Sequence, residues 1–363
     1  RMHKAKRAGQ SYEQERIDLQ SRNWRRMMRM HKANLALPSY KNGSQVTLLH
    51  EHVGPVLCMC TGGPYLFTGG ADGKLLMYRI PLFLTFTQAR EREFKKPPDP
   101  SRMFGQPKTK NSGVNFAHEG PLLSIVAEKD FVMSGGVDGV IKLWRMESAP
   151  GSACARTYLG HKGGIWCLTI GKHIYDDNEI LILISGSADS SVFIWNIWGP
   201  KGARPIIKFE GHFGGITSVC FVPCRAQVVS GSEDTTIRIW TLTKGLCETV
   251  LEGHSHAVTS LVPWAQTVAG VSYDVIFSTS RQGDIRMWDR QAAVQLKEVQ
   301  AHAGPITSLS PSLVPECCMV TASVDGVLRI WKTDDLVCLR SVHPPKPSAL
   351  AAETQRLKDA IAE

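Results

Sequence analysis

Histidine, serine or threonine, aspartate and tryptophan recur in that order along this chain of 363 residues. The complete sets are His118, Ser134, Asp138 and Trp144; His161, Ser185, Asp189 and Trp195; His212, Ser230, Asp234 and Trp240; and His302, Thr321, Asp325 and Trp331. A base, a hydroxyl and a carboxylate in one set could do acid–base or nucleophilic chemistry. Two partial copies weaken that reading: one ends in Tyr78, and one has Gln282 where Asp is expected. Six near-copies of one active site in one chain would be odd, whereas a repeated structural unit produces such sets as a matter of course.

Other chemistries find little footing. Cys58 and Cys60, Cys220 and Cys224, and the Cys317–Cys318 pair lack the doubled C-x-x-C spacing of zinc sites, so buried free thiols are expected and no metal. The pairs Gly69–Gly70 and Gly135–Gly136 belong to hairpins, not to the strand-to-helix turn of a phosphate loop. No Gly-x-Ser-x-Gly nucleophile motif occurs. Neither a catalytic residue nor a cofactor is therefore assigned.

The elements that carry these residues are written several times over. LISGSADSSVFIW (183–195), VVSGSEDTTIRIW (228–240) and MVTASVDGVLRIW (319–331) are one segment in three versions. Residues 65–78 and 131–144 are two more, and 275–288 is a degraded sixth. A histidine precedes each: His52, His118, His161, His212, His254 and His302. From Trp144 onward the closing tryptophans stand 51, 45, 48 and 43 residues apart. Each segment reads as a hairpin, two alternating β-branched runs around a polar turn, with a further strand on either side of the histidine. Four short strands make a small sheet that cannot bury both faces alone. Stacking such sheets radially buries them and shields their edges.

This period and its histidine and tryptophan punctuation resemble the WD-repeat family over residues 46–343. The resemblance implies an all-β propeller. Six blades are expected from the six visible units, with a seventh, degenerate or supplied by a partner, as the alternative. Strands near Val46–His50 and Val337–Ser341 both look able to complete the last blade, so one is surplus. The resemblance also implies that the recurring polar set is a buried structural relay: the turn Asp accepts from the His, the hydroxyl joins His to Trp, and the indole N–H finds a partner. In the unit with Gln282 that relay lacks its expected acid.

Three segments flank or interrupt the propeller expected over 42–343. Residues 1–41 carry +8 of the net +9 charge. Residues 11–36 read as an amphipathic helix, with Ile17, Trp24, Met28 and Leu35 on one face and Arg22, Arg25, Arg26, Arg29 and Lys32 beside it. That face either packs on the propeller or docks on an acidic partner, and Arg22, Trp24, Arg25, Arg26, Arg29 and Lys32 are the contact candidates. Residues 79–117 are a basic, Pro-rich insertion expected to run as an extended strap rather than in a sheet. Residues 344–363 form a tail with a short helical pattern.

The leading reading is a non-catalytic scaffold or adaptor subunit binding other proteins in a larger intracellular assembly. RNA contact in a ribonucleoprotein or on the ribosome is a second reading. Docking of a cytoskeletal or ciliary subunit on acidic tubulin-like surfaces is a third. No apolar run spans a bilayer. Ten scattered cysteines fit a reducing compartment, cytoplasm or nucleus, or a mitochondrion if a targeting segment has been lost. The rim formed by the turn residues and the loops after each histidine is expected to be poor in anchors, which shifts attachment to the helix and the strap.

Overall fold

The computed structural model describes residues 52–343 apart from 53, 64, 80–101, 105, 108–114, 146–153, 176–177, 201–203, 269–270 and 313–317. The basic helix, most of the 79–117 insertion and the 344–363 tail lie outside the described residues. Within them the chain is six four-stranded antiparallel sheets, the blades of a propeller, each running outward from its first strand to its last. Blade one comprises Val56–Gly62, Tyr65–Gly70, Leu75–Arg79 and Arg102–Phe104. Blade two comprises Leu122–Ala127, Phe131–Gly136, Ile141–Arg145 and Arg156–Tyr158. Blade three is Ile165–Tyr175, Asn178–Ser187, Val192–Asn196 and Ile207–Phe209, and blade four is Ile216–Val222, Gln227–Ser232, Ile237–Thr241 and Leu246–Leu251. Val258–Val268, Val271–Ser280, Asp284–Asp289 and Val294–Gln300 make blade five; Ile306–Ser312, Cys318–Ser323, Leu328–Lys332 and Cys338–Val342 make blade six.

The 79–117 insertion departs from the strap expectation. Arg102–Phe104 pairs with Leu75–Met77 as the outermost strand of blade one, and Gln106–Pro107 pairs with Asn115–Phe116. The prolines cluster at 97–100, so Arg102–Phe104 keeps the N–H groups a ladder needs, while Pro107 sits in a two-residue pairing at the end of a short ribbon.

Burial explains the sequence of each strand. The second strands of blades two and four are buried at every position, because they are covered on both faces. Five hydrophobic clusters lie between consecutive blades. Phe67, Leu75 and Met77 of blade one meet Leu122, Ile125, Val132 and Trp144 of blade two. The series continues to the fifth, where Phe277 and Ile285 of blade five meet Ile306, Leu309, Met319 and Trp331 of blade six.

All six innermost strands shift register between their first and third residues, from Val56/Cys58 through Ile306/Ser308. The residue after this bulge is small in every blade: Cys58, Ser124, Cys167, Ser218, Ser260 and Ser308. Its role is closer contact with the next blade: the Cys58 thiol reaches Leu122 O at 3.4 Å, and Ser218 Oγ accepts from Leu261 N–H at 3.1 Å. The hairpin turns also bind forward. Gly73 (φ +73°) offers its carbonyl to the N–H groups of Ala117 and His118 at 2.9 and 3.2 Å. A Cβ there would stand 2.8 Å from the carbonyl oxygens of His118 and Gly120, so glycine permits the approach.

Candidate functional site

The hairpin places its turn Asp beside the histidine that enters the same blade, and the third strand brings the tryptophan under the hydroxyl of the second. In blade four the Trp240 indole N–H donates to Ser230 Oγ at 2.7 Å, and Ser230 Oγ lies 2.8 Å from His212 Nε2. The hydroxyl hydrogen is then directed at Nε2, which leaves Nδ1–H to donate to Asp234 Oδ2 at 2.7 Å. Asp234 further accepts from the backbone N–H of Phe213 and of Thr236, both at 2.9 Å, and from the Thr236 hydroxyl at 2.7 Å. Every acceptor position of this carboxylate is in use.

The same chain of contacts joins His118, Ser134, Asp138 and Trp144 at 2.8–3.1 Å, and His161, Ser185, Asp189 and Trp195 at 2.8–3.3 Å. It joins His302, Thr321, Asp325 and Trp331 at 2.8–2.9 Å. His52 reaches Thr68 and Asp72, each at 2.9 Å. The hydroxyls of Ser134, Ser185, Ser230 and Thr321 belong to fully buried residues. Burial alone would raise the carboxyl pKa values of Asp138, Asp189 and Asp234. Hydrogen bonds from the paired histidine and from nearby N–H and O–H groups outweigh it and hold all three below the ordinary range.

Blade five answers the question raised by Gln282. Its carboxylate comes from Asp284, two positions later, where Ser191 and Thr236 stand in blades three and four. Those hydroxyls already lie 3.1 and 3.3 Å from their histidines, so a carboxylate there also reaches the ring. Asp284 Oδ2 is 2.9 Å from His254 Nδ1, close enough for an ion pair but off the line of a hydrogen bond. It also accepts from Arg286 Nε at 2.9 Å and from the Ser280 hydroxyl. Gln282 turns outward to Ser255 at 2.6 Å. The signal missed in the sequence was the Asp284–Arg286 pair at alternate strand positions.

The candidate cations Arg22, Arg25, Arg26, Arg29 and Lys32, with Trp24, lie outside the described residues. The rim is not as bare as expected. Phe213, which directly follows His212, is 91% exposed, and Val137 and Val324 beside the turn aspartates are also exposed. Phe213 stands just before Gly214 and Gly215, in a loop otherwise made of the smallest residues. Cys58, Cys60 and Cys220 are free, with thiol pKa values pushed up to about 12 by burial, which makes them poor nucleophiles. Among the described residues no helix is long and apolar enough to cross a membrane.

Known proteins match this arrangement. The propeller domain of Doa1, a WD40 structure, superposes with a TM-score of 0.59 at 16% identity, covering 82% of this chain and 85% of that one. Telomerase protein component 1 of Rattus norvegicus is 26% identical over 65% of this chain and 9% of its own length. Autophagy-related protein 16 of Arabidopsis thaliana is 28% identical over 61% of this chain and 40% of its own. The chain thus spans well under half the length of these relatives. The family described as "WD domain, G-beta repeat" matches residues 43–79, 152–196, 203–241, 245–289 and 293–332. Those five stretches cover more than half of the sequence and fall on the blades described above, and the chain belongs to the WD-repeat family.

Proposed function

We propose that this propeller is a non-catalytic scaffold or adaptor subunit that holds other proteins in an intracellular assembly, in the cytoplasm or nucleus. One observation carries the reading: the residue types that could do chemistry are turned inward and bonded to one another. In blades two to six each hydroxyl is engaged by an indole and a histidine, as Ser230 is by Trp240 and His212. A relay of this kind stiffens a blade and leaves no free nucleophile. One relative, telomerase protein component 1, is by its name a subunit of a larger assembly.

Two surfaces suit attachment. Phe213 is a large aromatic side chain held out into solvent, the kind of anchor that dominates interface energies. The basic arm, through Arg22, Trp24, Arg25, Arg26, Arg29 and Lys32, fits an acidic partner surface. Replacing Arg22, Arg25, Arg26 and Arg29 together by Gln is expected to weaken incorporation into the assembly most at low salt, with the gap from the parent narrowing as salt screens the parent's own attraction. Phe213→Ala is expected to weaken it with no change in melting temperature. Undiminished incorporation of both variants, measured by co-purification from the native source, refutes the assignment of these surfaces.

A further inference from the structure

Five inter-blade clefts are filled by the five clusters described above; among the described residues, blade six and blade one share none. Their innermost strands also lack the close packing that joins every other neighbouring pair. The two facing walls are correspondingly bare. Blade four meets blade five through Val229, Ile237, Ile239 and Leu251, all 2% exposed or less. The matching residues of blade six are Val320, Leu328, Ile330 and Val342. Leu328 is 44% exposed and Val342 40%, and the other two are half-buried. On the opposite wall, blade one presents Val56 at 50% and Met59 at 71%, where blade four buries Ile216 and Val219. These side chains are of the types that elsewhere lie against a neighbouring sheet.

The repeat phase marks the same place. From His161 to His302, each histidine follows the outermost strand of the preceding blade, as His212 follows Ile207–Phe209. His343 follows the outermost strand of blade six in the same way. In sequence, Val46–His50 precedes His52 as such a strand would, although all six described sheets already have four strands.

We propose that the slot between blade six and blade one is a docking site for a seventh blade supplied by another polypeptide, an antiparallel β-meander apolar on both faces. Continuity with the five filled clefts argues for that occupant. Each wall is a twisted, pleated, apolar surface, and one sheet with two apolar faces covers both at the spacing the other blades use. The proposal deepens the scaffold reading by naming the chemistry of a partner, and it does not depend on the basic arm.

The test uses the full chain in the assembly isolated from its native source. A photo-reactive benzoylphenylalanine is placed at Leu328 in one variant and at Met59 in another. Both are expected to cross-link to the same segment of one partner, about 40 residues long and patterned as short alternating strands. Adducts confined to this chain, adducts between two copies, two unrelated targets, or no adduct would each overturn the proposal. In a second arm, Met59→Lys and Leu328→Lys are combined. Both positions are exposed, so the isolated variant is expected to keep its melting temperature within about 2 °C. Recovery of the cross-linked partner is expected to fall about tenfold or more. A marked drop in melting temperature would mean that the chain closes its own slot, and undiminished recovery would mean that the slot is not the contact; either result overturns the proposal. A chain that co-purifies with no other polypeptide refutes the scaffold reading itself, whereas partners that never cross-link from the slot refute only the docking site.

Discussion

The aspartates of the hairpin turns illustrate how one residue can look catalytic and act as a brace. Asp234 accepts four hydrogen bonds, from the His212 ring, two backbone N–H groups and one hydroxyl. Removing it leaves those donors unpaired in a largely buried setting, so Asp234→Ala is expected to destabilise the fold by about 1–3 kcal/mol. Thermal or denaturant unfolding reads this directly, and an unchanged midpoint would contradict it. The pH dependence has a definite sign. The folded pKa values of Asp138, Asp189 and Asp234 are lowered. Their contribution is therefore fully present above the unfolded carboxylate value, near pH ~4, and is lost as pH falls through the folded values. Asp234→Ala should accordingly narrow its stability gap from the parent as the medium is acidified below pH ~4. At this scale the sequence was legible wherever a residue recurred in phase: His118, Ser134, Asp138 and Trp144 are brought together at 2.8–3.1 Å. It was not legible at Phe213, because exposure is a property of the surroundings and a single aromatic after a histidine has no period to betray it.

A blade is the smallest unit in which these residues have meaning, and blade five shows how much the unit tolerates. Its expected turn acid is Gln282, yet the histidine still has a carboxylate beside it, Asp284, carried on the following strand. That shift brings in Arg286, which bonds Asp284 at 2.9 Å, Gln295 at 2.7 Å and Glu298 at 3.0 Å. Reading by alignment alone looks for the acid at the turn and misses the substitute, because a pleat can deliver a side chain to the same point from a neighbouring position. Two substitutions separate the assignments. Asp284→Ala strips a buried acceptor from Ser280 and Arg286 and a carboxylate from beside His254, and is expected to cost about 1–3 kcal/mol. Gln282→Ala removes contacts to exposed Ser255 and His256 and should stay within about 0.5 kcal/mol. Equal effects in equilibrium unfolding would remove Asp284 from the role. The outermost strand of blade one was hidden for a different reason. Arg102–Phe104 is three residues long and follows a Pro-rich run, and so short a strand is set by the edge it completes more than by its own pattern.

Taken together, the blades form a linear series from one to six whose two ends differ from its middle. Blades two to five are covered on both faces by neighbours. Blade one has Val56 and Met59 bare, and blade six has Leu328 and Val342 bare. In a repeat architecture stability is approximately the sum of each unit's own stability and its contacts with its neighbours. An end blade has one such interface where an inner blade has two, so local opening should begin at the ends. The repeat made the series readable in sequence, but the period says how many units there are and not whether the last meets the first; that depends on packing across the seam. Native-state hydrogen exchange of the isolated chain is expected to rank the second strands accordingly. Val228–Ser230 in blade four should be the most protected, and Phe67–Gly69 in blade one and Val320–Ala322 in blade six markedly less. Trp240 in the middle and Trp331 at the end are both buried, so the difference cannot come from the relay and must come from the interface count. Equal protection in all six blades would show that the seam is energetically closed, and the uncovered faces would then need another explanation.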